Sequence, residues 1–331
     1  MSKKSKTISD SFYELSNDQV LNSVEKALCR TERGLRATGS LLTLNSLENR
    51  VYQIEFEDGL WVVSKFYRPQ RWTKNQILDE HDFLHSLRDL EIPVVAPLEL
   101  ADEDHSTLSS TPDGIQLAVF PIVKGRLLDE LTPIQLESLG RYLGRIHRCS
   151  QAMTRNSRIH LNPKTYGWEP LKQLLESNLF ETDSVRQQYR LTAERFLKAI
   201  EPGFQHTRMI LTHGDCHLGN TLWKDQQPFF LDFDDCCYAP AVQDIWMIVR
   251  GRDELALKDR QIVVESYEQM NDFDRSELQM IEALRGLRIL HYSAWIAKRW
   301  DDPSFPRAFP DFGSTRYWQE EMSEISRCMD L

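Results

Sequence analysis

His213-Gly214-Asp215-Cys216-His217-Leu218-Gly219-Asn220, followed by the apolar run Phe229-Phe230-Leu231 that ends on Asp232, decides the reading of this chain. An aspartate, an asparagine five positions on, and a second aspartate closing a buried strand form an oxygen-ligand set suited to phosphoryl transfer from ATP. That reaction asks for little covalent help. It asks for a carboxylate beside the acceptor hydroxyl and for oxygen ligands that hold Mg²⁺ against the triphosphate. The spacing lets Asp215 face the hydroxyl as the catalytic base while the loop turns back to aim the Asn220 amide oxygen at the metal. Asp232, counted as both catalytic and metal-binding, arrives from the neighbouring hairpin. Asp225-Gln226-Gln227-Pro228 reads as the turn of that hairpin.

Around this loop the chain has 331 residues, enough for two domains with sizeable cores. Its 41% hydrophobic and 27% charged fractions are those of a globular protein. A net charge of −10 gives no general attraction to nucleic acid or to an anionic membrane. No apolar run approaches the roughly 20 residues of a membrane-spanning helix. Lys3, Lys4 and Lys6 among serines lack the apolar core of a secretory signal, so residues 1–10 read as a disordered tail. Six scattered cysteines suggest reduced thiols in a cytoplasmic protein. Cys236-Cys237 are adjacent and poorly spaced for one tetrahedral zinc, and they read as packing residues behind the loop.

Apolar periodicity predicts a helix over 11–33, three strands between 36 and 67, a helix over 73–89, and strands near 94–101 and 115–121. From Gly125 onward the pattern is helical, over 132–149, 168–179, 184–200, 241–250, 256–270 and 275–300, interrupted by the Asp215 loop and its hairpin. Five strands and a helix before a mainly helical half describe an α+β, bilobal protein: an antiparallel N-terminal lobe over 11–122 and a larger helical lobe over 123–331. The chemistry is expected in the cleft between them. Phe120-Pro121-Ile122-Val123 reads as the hinge, where backbone at Phe120 and Ile122 would receive an adenine.

No Walker A sequence and no G-x-G-x-x-G occurs. Asn45-Ser46-Leu47-Glu48-Asn49, between the first two strands, is either an ordinary polar turn or a phosphate-capping one that uses its amides and the Ser46 hydroxyl. Lys65 shares an otherwise apolar strand face with Val63 and needs a partner there. ATP phosphate and Glu80 of the following helix are the candidates, with Asp79 the competing carboxylate. A lysine that snorkels to solvent is the plainer alternative. Asp311-Phe312-Gly313 has no apolar strand before it and reads as a decoy for a metal-binding Asp-Phe-Gly.

Taken together, Leu44 to Tyr52, Lys65-Phe66-Tyr67-Arg68-Pro69, His213 to Asn220, Ala239-Pro240-Ala241-Val242-Gln243-Asp244 and Lys298 to Pro306 resemble the protein-kinase-like phosphotransferases of the aminoglycoside and choline kinase type. A narrower resemblance is to a bacterial Ser/Thr protein kinase of that superfamily acting in a stress response. The resemblance implies that Asp215 is the proton acceptor, that Asn220 and Asp232 bind Mg²⁺, that Ser46 and Lys65 touch ATP, and that Asp244 braces the loop. It also implies a monomeric enzyme whose partners are proteins bearing Ser or Thr. Residue chemistry alone reaches only ATP-dependent phosphorylation of a hydroxyl. An aminoglycoside, choline or homoserine kinase would carry the same parts, with Asp234, Asp235 and Trp300 as candidates to line a cation pocket. A catalytically silent nucleotide-binding regulator is the third reading.

Overall fold

A computed structural model describes residues 7–28, 36–101, 106–153 and 157–329. They divide into two compact units. The first comprises the described residues of Met1–Glu130, Thr154–Ser157 and Leu218–Asp234; the second comprises those of Leu131–Met153, Arg158–His217 and Asp235–Leu331.

The first unit is built on a five-stranded antiparallel sheet of β1 (Ala37–Leu44), β2 (Arg50–Phe56), β3 (Trp61–Phe66), β4 (Ser109–Ser110) and β5 (Gln116–Pro121), ordered β1-β2-β3-β5-β4. Period-two alternation gives the sheet two buried faces. Tyr52, Ile54 and Phe56 of β2 join Val62 and Phe66 of β3 against Phe12, Val20 and Val24 of two short helices, α1 (Ile8–Tyr13) and α2 (Asn17–Leu28). On the opposite face Ala118 packs with Tyr67 and with Ile77 of α3 (Lys74–Asp89). Lys65 lies directly across from Ala118 in the β3–β5 register and so belongs to the α3 face. Each large apolar side chain buried in this way contributes about 1.5–3 kcal/mol.

Several local expectations change. The single helix over 11–33 is two helices, the first starting before the expected boundary: Thr7 and Asp10, expected in the tail, close a capping box at α1. Residues 1–6 of that tail and 29–33 of that helix lie outside the described residues. The expected strand over 94–101 is not one. Pro93 and Pro97 withhold ladder donors, and the stretch makes only a bridge from Val94 to Phe230 and single bonds such as Leu98 N–H to Val119 O, 2.7 Å. The fifth strand is instead β4, a two-residue strand in the segment between the two expected ones.

The second unit holds α4 (Pro133–Ser150), α5 (Glu169–Glu176), α6 (Asp183–Ile200), a two-stranded antiparallel pair β6 (Ile210–Thr212) and β9 (Cys237–Ala239), α7 (Val242–Ile248), α8 (Glu254–Tyr267), α9 (Ile281–Ala297), α10 (Ser304–Ala308) and α11 (Thr315–Arg327). Helices α4 and α8 approach closely enough that a Cβ on Gly140 would meet Val263 O at 2.3 Å. Helix α11 escaped the periodicity reading because a Pro- and Gly-punctuated stretch precedes it. Asp311-Phe312-Gly313 forms the turn into it: Gly313 takes φ 88°, Ser314 caps the helix, and Phe312 packs on Trp318. Among the described residues no helix is long and apolar enough to cross a membrane.

The hairpin that ends at Asp232, β7 (Thr221–Lys224) and β8 (Gln227–Phe230), belongs to the first unit rather than to the helical half. Its loop is two residues, Asp225 and Gln226, both at positive φ, the geometry that matches strand twist. Phe230 N–H donates to Pro93 O at 2.9 Å, Trp223 bridges to Arg126, and the Phe233 ring meets Phe83 edge-on at 5.7 Å. These contacts explain the assignment, and they carry the first unit past the expected boundary at 122/123, to Glu130.

Candidate active site

In the second unit, β6 delivers the chain to His213 and Gly214, and α7 fixes the turn that follows. Asp244, fully buried, accepts the His213 N–H on Oδ2 at 2.8 Å and the Gly214 N–H on Oδ1 at 3.0 Å. Its Oδ2 also receives His147 Nε2 of α4 at 2.9 Å, so this nitrogen carries the proton. Gln243 donates to Gly214 O at 2.9 Å and is itself held by Trp246. Gly214 sits at φ 82°, and a Cβ there would lie 2.2 Å from Asp235 O; no other residue fits.

This scaffold presents Asp215. Its Oδ1 is 2.8 Å from Arg288 of α9, and its Oδ2 is 3.5 Å from His217 Nε2. Burial works to raise the Asp215 pKa. The hydrogen bond from His217 and the charges of Arg288, His217 and His213 outweigh it and hold the carboxyl well below the usual range. The group is therefore ionised and a weak base, suited to orienting a hydroxyl and accepting its proton late in the transfer. Arg288 holds Oδ1 at 2.8 Å, whereas Oδ2 meets His217 at the longer distance of 3.5 Å and is the more loosely held oxygen. Arg288 was invisible to sequence reading: it lies 73 residues beyond Asp215, in a helix with no motif. Cys216, Cys236 and Cys237 are free and buried, with burial pushing the Cys237 thiol up to about 12.

The remaining site residues fall in the first unit. Thr221 of β7 pairs with Phe230 of β8, and Leu231 N–H donates to Asn220 O at 2.9 Å. Asn220 and Asp232 thus flank the open end of one hairpin. Asp232 adopts φ 55°, uncommon for a residue with a Cβ, and its side chain is half exposed. Its Oδ1 is 2.9 Å from Lys65 Nζ, and Asp234 Oδ1 is 3.1 Å from the same nitrogen. Burial alone would lower the Lys65 pKa, but Asp232, Asp234 and Glu80, in that order, raise it well above its ordinary value. The expected partner Glu80 is thus the third carboxylate rather than the first, because the hairpin end reaches the β3 face more directly than α3 does. Asp79 is engaged elsewhere, accepting the Ser157 N–H at 3.2 Å and the Ser157 hydroxyl.

Asp234 is, on sequence alone, a candidate to line a cation pocket. It is nearly fully buried, and its oxygens meet Lys65 and the Asn49 amide (3.1 Å). Burial raises its pKa, but Lys65, Arg71 and the Asn49 hydrogen bond bring it down to about 2. Asn49 also accepts the Arg68 N–H at 3.1 Å, tying the β1–β2 turn to the end of β3. In that turn Ser46 is exposed, and its oxygen accepts the Asn49 N–H at 3.2 Å, which leaves the hydroxyl proton to donate outward. Phe120 lies edge-on to His81 at 6.2 Å, and Ile122 follows directly on the last residue of β5, both inside the first unit. Trp300 packs on Phe312 at 5.0 Å.

A kinase-like sheet, a braced Asp215 loop and a hairpin ending in Asp232 define a phosphotransferase, and the chain belongs to the phosphotransferase enzyme family, whose sequence pattern matches residues 41–281. Within that family it is similar to stress response kinase A of Escherichia coli (strain K12), 38% identical over 288 residues, 87% of this chain and 86% of the relative. It is also 37% identical over 291 residues to the serine/threonine protein kinase RdoA of Salmonella typhimurium (strain LT2), covering 88% and 87% of the two chains. Among solved structures, amicoumacin kinase hAmiN in complex with AMP-PNP, Ca²⁺ and Ami shares the fold, with a TM-score of 0.73 at 19% identity, 94% of this chain and 95% of that one.

Proposed function

We propose that this protein is an ATP- and Mg²⁺-dependent protein kinase that transfers the γ-phosphate to Ser or Thr hydroxyls of other proteins, acting as a cytoplasmic monomer in a stress response. The observation that carries the proposal is the Asp215 loop, its backbone clamped by Asp244 and Gln243, continuing within five residues into Asn220 and the hairpin end at Asp232. Asp215 Oδ2 orients the acceptor hydroxyl and takes its proton. Asn220 and Asp232 offer the hard oxygen ligands that Mg²⁺ takes beside nucleotide phosphates, and their place at one hairpin end fits that cation. When bound, the metal would neutralise charge on the transferred phosphate. Lys65 supplies a buried, permanently charged ammonium for the phosphates, kept in place by Asp234 and Glu80. Ser46 contributes its free proton, and Phe120 and Ile122 contribute backbone for the adenine.

Protein as acceptor is supported by the name of the Salmonella relative, a serine/threonine protein kinase, and a stress response by the name of the Escherichia coli one. The amicoumacin kinase neighbour favours a second reading, a small-molecule kinase. Against a cationic small acceptor stands the commitment of Asp234 to Lys65 and Asn49. The test is incubation with labelled ATP and Mg²⁺, offering either a generic protein or a panel of small alcohols, followed by phosphoamino-acid analysis. Phosphoserine or phosphothreonine that disappears in Asp215→Asn is the expected result. Saturable turnover of a small alcohol without phosphoamino acid would overturn it.

A further inference from the structure

In a chain of net charge −10, the surroundings of Asp215 within the second unit are basic. Arg288 holds Asp215 at 2.8 Å. One helical turn earlier on α9, Arg285 donates to Arg250 O at 2.8 Å, which anchors the backbone just past α7 beside it. Arg285 and Arg252 both lean on Glu282. Arg250, exposed as a residue but with its head group partly covered, has no such partner among the described residues: its Nε reaches Met247 O at 3.2 Å, and no carboxylate lies in ion-pair range. Burial and repulsion from Arg288 and Arg285 lower its pKa, and only Asp215 works in the other direction. Arg288 thus pairs with Asp215 directly, while Arg250 feels the same carboxylate from beyond ion-pair range. That carboxylate must also receive the acceptor hydroxyl.

We propose that the acceptor bound at Asp215 carries an anionic group beside its hydroxyl, received by Arg250 and Arg288. Resting on the protein-kinase reading, this makes the preferred target a Ser or Thr flanked by a carboxylate or a phosphorylated side chain. A planar guanidinium offers paired donors to either group, and a cationic acceptor would meet like charge instead. The same geometry disfavours an amino sugar or a choline at this place.

The test uses the full-length protein and four peptides that differ only beside one serine: glutamate, phosphoserine, alanine or lysine. The expected result is that kcat/KM for the better of the two anionic peptides exceeds that for the alanine peptide by roughly tenfold, with the lysine peptide lowest. The better anionic peptide names the source of the charge. In Arg250→Ala the anionic advantage collapses, and Arg250→Lys restores part of it; the exposed position of Arg250 keeps both variants folded, checked by thermal unfolding. Equal use of the four peptides, or preference for lysine, would overturn the inference and leave the protein-kinase reading standing. So would an equal loss on every peptide in Arg250→Ala, which would assign Arg250 to the triphosphate or the fold. Turnover of small alcohols with no peptide phosphorylated would remove both readings together.

Discussion

Asp244→Ala tests the scaffold behind Asp215, the aspartate proposed to be catalytic. The substitution strands three buried donors: the N–H groups of His213 and Gly214, and His147 Nε2–H. Each buried donor left unsatisfied costs about 1–3 kcal/mol, so a loss of about 3–9 kcal/mol is expected, toward the lower end because the Gly214 N–H is only part-buried. That is a large share of a typical stability of about 5–15 kcal/mol. Asp244→Asn keeps one acceptor oxygen but turns an amide toward one of the donors, and it should fall between wild type and alanine. Urea unfolding measures the loss as a lower midpoint at constant slope. Phosphoryl transfer should fall further than stability does, because the Gly214 peptide that aims Asp215 loses its anchor. A midpoint within about 0.5 kcal/mol of wild type in Asp244→Ala, with normal turnover, would refute the assignment.

Gly214→Ala, with its Cβ driven against Asp235 O, should unfold or inactivate the protein; a soluble variant of wild-type activity would contradict the turn described. Asp232→Ala should weaken Mg²⁺-nucleotide binding at least tenfold by calorimetry, an estimate set by the loss of one charged ligand; unchanged affinity would remove Asp232 from the metal. For pH, Asp234 is held below its unfolded-state value by Lys65, so its stabilising contribution is complete above about pH 4 and is lost as pH falls toward about 2. In Lys65→Met burial dominates, the carboxyl titrates higher, and acid unfolding should begin at higher pH, read by circular dichroism.

The Asp215 loop stands out in the sequence because the residues proposed for the chemistry fall within twenty positions, in an order and spacing that one reaction would require. Lys65 was legible because a lysine that shares a strand face with Val63 has to face something. What it faces was not: Asp232 and Asp234 come from 167 and 169 positions away, and only the folded hairpin brings them ahead of Glu80. Arg288 and Arg250 carry no local pattern at all, since an arginine on an amphipathic helix reads as surface. The stretch over 94–101 misled because its apolar residues look like a strand, while its prolines, which deny ladder bonds, weigh little in a periodicity count.

The placement of β7 and β8 also bears on how the chain is made. The first unit's sheet leaves the ribosome early, yet Lys65 must wait 167 residues for Asp232, and Asn49 must wait 185 for Asp234. At about 5–20 residues per second the delay is roughly ten to thirty seconds. Through that interval Glu80, fifteen residues on, is the only one of the three carboxylates already synthesised. A sheet formed in that interval would have Glu80 as the counter-charge for the lysine on its α3 face until the hairpin arrives.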